Sequence, residues 1–408
     1  MAARSVDYLL IGGGLAAANC ARWLREEGAD GSILLVGREP DPPYNRPPLS
    51  KTYMRKKETR DEVLFRPDEW WQEQNIELLT RTSVTKVDTA ERVAELSTRE
   101  EVRFGQALLA TGSNVRRLRA DGSDLDGIHY LRTFANSDAI QADAENSERV
   151  VLIGGSYIGT EVAASLTSLG NQCSIVMLED VTLERQFGKE IGGFFQRVLE
   201  EHGVTIHGGD ELERFEGDDR VQRVVTKAGL ELDADMVVIG AGVTPDLTLA
   251  KGAGLEIGEA GGVRVSSRLE ASAPDVYAAG DIAEYDSVVH GKALRIEHWD
   301  VAFNQGKTAA LNMLGRNVNH EAIPYFFSDL ADWSSMEYVG PGSGRTVIRG
   351  SMDDGEFTAF YLDDSGVVTA ALTVGRSDDL EQAQRFMREK VAPDEAKLAD
   401  ASSDLAEL

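Results

Sequence analysis

The chain has 408 residues, with 42 Lys+Arg against 69 Asp+Glu and a formal net charge of −27. Such acidity argues against generic binding to nucleic acid or to anionic membranes, because both rest on basic patches. Hydrophobic residues make up 42% of the chain, enough core for roughly two to four domains and not the mark of disorder. The only cysteines are Cys20 and Cys173, which excludes a disulfide scaffold, a cysteine-based zinc or iron–sulfur site, and a CxxC pair.

The first residues, Met1 to Ser5, run straight into an apolar strand, Tyr8 to Ile11, with no secretory leader pattern. No apolar stretch approaches the ~18–20 residues of a membrane span. A soluble, cytoplasmic protein with no membrane, nucleic-acid or metal partner is the expectation. A glycine turn follows the first strand, then a helix expected over Asn19–Gly28, then an apolar run from Ile33 to Val36 ahead of Glu39. A short strand reads at Ala107–Gly112. The opening pattern then returns. Val150 to Ile153 leads into a second glycine turn and a helix reaching Gly170, and a further apolar run, Ser174 to Leu178, ends at Glu179. One such strand–turn–helix–strand unit is a weak signal, whereas two in full context are a strong one.

Strands follow at Met236–Gly242 and Val276–Asp281, and a helix at Trp299–Leu314. From about Glu321 the texture changes. Thr346–Arg349, Phe357–Leu362 and Val367–Val374 read as antiparallel strands joined by Asp/Gly turns, followed by a helix at Asp378–Lys390. The last stretch, Ala392 to Leu408, is acidic and poor in large apolar residues, and is expected to fray.

Gly12, Gly14 and Ala17 form G-x-G-x-x-A. The first glycine permits the tight turn, and the second lets a pyrophosphate approach the backbone. The small third residue lets helix and strand pack, so that a diphosphate sits on the helix N-terminus. In the second unit Gly154, Gly155, Ser156 and Gly159 occupy the corresponding places, with Ser156 a small substitute for the middle glycine. A carboxylate at Glu179 can accept bonds from both ribose hydroxyls but repels a 2′-phosphate, which favours NAD(H) over NADP(H), with Arg185 nearby as a counterweight.

Several longer segments then occur in a telling order. They are Tyr44-Asn-Arg-Pro-Pro-Leu-Ser-Lys51, Ala110-Thr-Gly112, Gly154 to Glu161, Val276 to Asp281, and Arg295-Ile-Glu-His-Trp-Asp-Val-Ala-Phe-Asn-Gln-Gly306. In this order the chain resembles the flavoproteins with two dinucleotide-binding domains. The branch it is most similar to comprises the oxygenase-coupled NADH–ferredoxin and rubredoxin reductases, together with apoptosis-inducing factor. The resemblance spans residues 6 to 380 and implies an α/β fold with two Rossmann-like domains, for FAD and for NAD, and a small α+β C-terminal domain. Residues 1–112 and 243–320 would bind FAD and 113–242 NAD(H), while 321–408 would form the C-terminal domain with its acidic tail.

By the same resemblance, Gly12, Gly13, Gly14, Leu15 and Ala16 would hold the FAD pyrophosphate, with Arg46 and Arg132 neutralising it. Val84 would meet the adenine, Asp281 the ribityl chain, and His298 and Trp299 the flavin ring. Ala110 belongs to the same FAD set, and Phe327 would give the flavin or nicotinamide an aromatic face. Lys51, paired with Glu161, would sit near flavin N5 and stabilise negative charge on the reduced ring; these two are the candidate catalytic residues. Gly155, Ser156, Tyr157, Ile158, Glu179 and Gly242 would contact NADH, and Glu297 its carboxamide region.

Three departures stand out. Arg38 occupies the place where many relatives carry the ribose-binding acid, leaving that work to Glu39. Phe327 stands where tryptophan is usual, and Leu330 and Ala331 replace a glutamine-containing continuation. Neither cysteine lies at a redox position of the wider superfamily, so electrons should leave the flavin directly to an outside acceptor. The resemblance thus implies an NADH-dependent, FAD-containing reductase of a ferredoxin or rubredoxin, monomeric or homodimeric, serving an oxygenase. An apoptosis-inducing-factor-like NADH-binding redox protein and an oxidase or small-acceptor reductase remain as alternatives. Docking an acidic carrier would need a local basic patch, either Arg55, Lys56, Lys57 and Arg60 or Arg116, Arg117 and Arg119.

Overall fold

A computed structural model describes residues 4–342 and 344–408; Met1–Ala3, part of the expected leader-free start, and Ser343 lie outside the described residues. The chain divides into two compact units. One comprises Met1–Asn45, Val63–Asn114 and Thr244–Phe326, and the other Arg46–Glu62, Val115–Val243 and Phe327–Leu408.

In the first unit, the Arg4–Ile11 strand lies between Ile33–Val36 and Glu101–Leu109 in a seven-stranded sheet. Its pairings are parallel, with Ile11 opposite both Val36 and Leu109. Ile33–Val36 is buried along its whole length, as a continuous apolar run covered on both faces must be. The helix that follows the first strand begins at Leu15, not at Asn19 as the sequence suggested. Leu15, Ala16, Ala17 and Ala18 are buried and form its first turn, because small apolar side chains let that turn pack directly on the sheet. The Trp299–Met313 helix crosses it closely. A Cβ on Gly306 would fall 2.4 Å from the Ala16 carbonyl oxygen, so only glycine fits there.

The strand expected at Ala107–Gly112 ends at Leu109, although Ala110 N–H still donates to Ile11 O at 2.8 Å. Likewise Val276–Ala278 stops before Gly280, whose φ of 77° starts a single 3-10 turn over Gly280–Ile282. A meander of Val84–Asp88, Val93–Leu96 and Glu101–Leu109 completes the sheet. Sequence reading missed its first two strands, which are short and half-exposed.

In the second unit, a five-stranded parallel sheet runs in the order Thr205–His207, Gln172–Val176, Arg149–Ile153, Met236–Ile239, Ile128–Tyr130. The C-terminal sheet is also five-stranded, in the order Tyr325–Leu330, Ser334–Val339, Val368–Val374, Glu356–Leu362, Arg345–Ser351. The Asp378–Glu389 helix follows it, close to the expected span. Among the described residues no helix is long and apolar enough to cross a membrane.

The expectation of a fraying C-terminus is overturned. The tail forms a helix over Glu395–Ala399, capped by Asp394, and a final turn over Leu405–Glu407. Two isolated apolar residues, Leu398 and Leu405, are buried. Arg349, itself 4% exposed, donates to the carbonyls of Leu398, Asp400, Ala401 and Ser403 and lies 3.5 Å from Asp379. One buried guanidinium therefore does for the tail what a longer apolar face would otherwise do. Arg349→Ala should leave the tail carbonyls without their donor and cost about 1–3 kcal/mol, while Asp379 keeps Thr358 and Arg376 as partners at 2.8 and 2.9 Å. A lowered Tm together with early proteolytic loss of residues after 390 checks this.

Candidate functional site

Two turns, one in each unit, repeat the same geometry. Gly12 N–H donates to Val36 O at 2.8 Å, and Gly154 N–H donates to Val176 O at 2.8 Å. Both glycines have positive φ, 130° and 109°. A Cβ on Gly12 would lie 2.1 Å from Ala110 O, and one on Gly154 would lie 2.6 Å from Gly240 O. Each turn opens a helix whose N-cap, Gly14 or Ser156, makes no side-chain capping bond. The first-turn amides of Leu15 and Ala16, and of Tyr157 and Ile158, thus start helices with no internal cap, a geometry suited to anionic oxygens. At Gly14 nothing lies within 4 Å of where a Cβ would stand, so the backbone there is open to a ligand. Gly159 packs its helix on the turn, since a Cβ there would meet Gly154 O at 1.9 Å. The two turns therefore fit the diphosphates of two dinucleotides.

Around the first turn, Ala110 is buried at the strand end and Val84 is buried at the start of its strand. Glu39 accepts from Tyr44 Oη at 2.5 Å, which holds its carboxylate in place. Arg38 donates to Asp246 Oδ2 at 3.0 Å and to Asn114 Oδ1 at 2.5 Å. Arg295 bonds the Asp281 carbonyl at 3.3 Å and Glu297 at 2.5 Å, so one cation positions both of those predicted residues. Trp299 Nε1 donates to Asn45 Oδ1 at 3.0 Å, and its ring stacks on Phe303 at 5.2 Å.

His298 precedes the Trp299–Met313 helix and packs on Phe326 at 4.9 Å. Burial pushes its pKa down to about 4, against a smaller opposing effect of Asp281, so the imidazole is neutral at pH 7. Its Nδ1 is buried without a protein partner. Gln305 is in the same state: Oε1 accepts from Gly280 N–H at 2.8 Å, while Nε2 is buried and unpaired. Two orphaned polar atoms on one helix and its cap are what a polar ligand would satisfy. Gln305 was not singled out from the sequence, although it lies inside the segment quoted for the family resemblance.

In the second unit, Lys51 and Glu161 meet. Lys51 Nζ lies 2.9 Å from Glu161 Oε1, and the side chains are only 6% and 4% exposed. Lys51 Nζ also lies 4.9 Å from the centre of the Phe327 ring. Arg46 donates to the carbonyl of Arg132, which brings those two arginines together. The strand expected to reach Leu178 ends at Val176, and Glu179, three residues beyond it, is paired with Arg185. Arg185 stands on a turn between Leu183, with φ 56°, and Gly188, with φ 82°. Phe187 of that turn packs on Tyr157 at 6.0 Å. Gly242 takes φ 87°, and its carbonyl accepts from Arg116 N–H at 3.0 Å. Leu330 and Ala331 are buried, so these departures face a core.

Both cysteines are buried in their units, and burial raises both thiol pKa values, that of Cys173 to about 12. The open space at Gly14 generates a test. Gly14→Ala should fold normally yet copurify with much less FAD, because the added methyl meets only ligand. An unchanged ratio of flavin to protein absorbance would remove Gly14 from the pyrophosphate site.

The chain matches the pyridine nucleotide-disulphide oxidoreductase family over residues 6–306 and the reductase C-terminal family over residues 325–408. It is 33% identical over 407 residues to the 5,5'-dehydrodivanillate O-demethylase ferredoxin reductase subunit of a Sphingobium species, covering 98% of each chain. It is 31% identical to putidaredoxin reductase of Pseudomonas putida, covering 98% of this chain and 96% of that one. Among solved structures, the ferredoxin reductase for the CYP199A2 system from Rhodopseudomonas palustris superposes with a TM-score of 0.93 at 31% identity, covering 98% of this chain and 99% of the other. Matched by both family models and by relatives along nearly its whole length, the chain belongs to the pyridine nucleotide-disulphide oxidoreductase family and carries the reductase C-terminal domain.

Proposed function

We propose that the chain is a cytoplasmic, FAD-dependent NADH–ferredoxin oxidoreductase that supplies an oxygenase system. The observation that carries this reading is the state of the thiols. The family is named for disulphide chemistry, yet the two cysteines of this chain are both buried and their pKa values raised. Electrons that reach the flavin therefore have no thiol of this chain to pass to and go to an external acceptor. Relatives along nearly the whole length include ferredoxin reductases of oxygenase systems, alongside monodehydroascorbate reductases, and putidaredoxin reductase is known in a covalent complex with putidaredoxin. The alternative of a slow, signalling NADH-binding protein has no structural observation in its favour.

When bound, FAD supplies a two-electron acceptor for NADH that can release its electrons singly. The residues of the chain do the rest. The Gly12–Ala16 turn fixes the pyrophosphate on the helix N-terminus, and Gly155–Ile158 does the same for NADH. The Lys51 ammonium, held charged by Glu161, is assigned to stabilise negative charge on the reduced ring, and His298 to contact the ring as a neutral imidazole. Glu179 is assigned to the adenosine ribose hydroxyls of NADH. Its ion pair with Arg185 keeps the arginine from a 2′-phosphate, which makes NADH the preferred donor.

The acceptor needs a cationic landing site on a chain of charge −27. In the first candidate patch Lys56 is paired with Glu145 and Arg60 with Asp138, so that patch is largely neutralised. Arg116, Arg117 and Arg119 are exposed, and Arg117 leans over the Tyr130 ring at 5.2 Å. We assign docking to this second patch.

Two outcomes test these assignments. A [2Fe–2S] ferredoxin should accelerate NADH-dependent cytochrome c reduction at least about tenfold, and Arg116→Glu with Arg119→Glu should raise the KM for ferredoxin without slowing flavin reduction. If no ferredoxin or rubredoxin accelerates the reaction while NADH still bleaches the flavin, the acceptor is oxygen, a quinone or a small molecule. Glu179→Ala releases Arg185 and should raise the NADPH/NADH ratio of kcat/KM about tenfold. An unchanged ratio would place coenzyme choice elsewhere.

A further inference from the structure

The Lys51–Glu161 pair is not isolated. Ser328 Oγ donates to Glu161 Oε1 at 2.5 Å, and Ser50 Oγ donates to Glu161 Oε2 at 2.5 Å. Ser50 and Ser328, like the carboxylate they bond, are buried. A carboxylate out of water needs donors on both oxygens to remain ionised. Lys51 supplies one of them, and the two serines supply the others from separate parts of the chain. Ser50 ends the Pro47–Ser50 turn, whose carbonyls at Leu49 and Ser50 are bonded by Ser137 and Ser165. Ser328 comes from the Tyr325–Leu330 strand, next to the Phe327 ring that Lys51 approaches.

We propose that Ser50 and Ser328 are positioning residues for the reductive half-reaction, which hold Glu161 as a carboxylate so that Lys51 stays an ammonium at one fixed point. The proposal rests on the reading of Lys51 as the cation that stabilises the reduced flavin. Neither serine was singled out in the sequence as more than part of a motif.

The other groups near Glu161 do not take over this role. Tyr157, on the same helix, interacts with Glu161, and burial first, then the neighbouring Tyr338, Tyr361 and Glu161, raises its pKa, so it stays neutral. Arg55 bonds the Lys51 carbonyl at 3.4 Å and not the carboxylate. Asp329, next to Ser328, is engaged by Ser335 at 2.7 Å. Removing one hydroxyl therefore leaves a lone pair of a buried carboxylate without its donor, and the carboxylate answers by taking up a proton more readily.

The test is the pH dependence of flavin reduction by NADH in stopped flow, on holoenzymes with full flavin content. Ser328→Ala and Ser50→Ala should each move the acid-side limb upward by about one pH unit, and Ser328→Thr, which keeps the hydroxyl, should follow the wild type. A merely structural serine would change stability and leave the limb in place. Acid limbs of both alanine variants that coincide with the wild type overturn the proposal. Should Ser328→Ala lose its flavin, Ser50→Ala decides alone. Lys51→Ala separates the two levels: wild-type reduction in that variant removes Lys51 from the mechanism, whereas slow reduction in it with unmoved serine variants defeats only the serine assignment.

Discussion

Two carbonyl oxygens set the geometry on which the structure depends, that of Ala110 opposite Gly12 and that of Gly240 opposite Gly154. Each closes a strand end onto the turn beside it so tightly that no side chain fits between. The approach brings the helix N-terminus to the sheet edge and aims its free amides outward. Leaving a helix start without a side-chain capping bond forfeits between a few tenths and about 1 kcal/mol. Both helices forgo it at the same relative position. The duplication is thus visible as a repeated physical constraint and not only as a repeated letter pattern.

Charge is organised differently from what the net value suggests. Much of the Arg and Lys is paired locally, as in Lys56–Glu145, Arg60–Asp138 and Arg185–Glu179. Pairing of this exposed kind adds little stability, but it removes those cations from long-range steering. An acidic carrier approaching the chain would then respond to exposed cations outside such pairs, Arg116, Arg117 and Arg119 among them. The net charge of −27 makes that response selective, since the rest of the surface repels such a partner.

The elements that sequence reading recovered best are those whose apolar pattern is local. Trp299–Met313, Asp378–Glu389 and Glu356–Leu362 show it, because each carries its own periodicity and turn signals. The tail was misread because its order comes from Arg349, about fifty residues earlier, and two scattered leucines leave no periodicity to detect. The helix at Leu15 was placed too late because an alanine run carries no amphipathic contrast. At the site, the glycine fingerprints and the Lys51–Glu161 pair were legible as motifs. Ser50, Ser328 and Gln305 were not, since a serine or glutamine gains meaning only from the atom it faces.

The buried pair itself is a poor source of net stability. Taking an ammonium and a carboxylate out of water costs several kcal/mol per ion, and their attraction roughly balances that cost only when the remaining hydrogen-bonding capacity is met. Here it is met on both carboxylate oxygens, and the ammonium has an aromatic face at 4.9 Å. Phenylalanine at 327 offers a weaker cation–π surface than tryptophan would. With less help from the ring, the charge on Lys51 leans more heavily on Glu161, and Glu161 on its serines. The substitution that looked like a loss of stacking area in the sequence thus shifts the work of holding one positive charge from an aromatic ring to a set of hydrogen bonds.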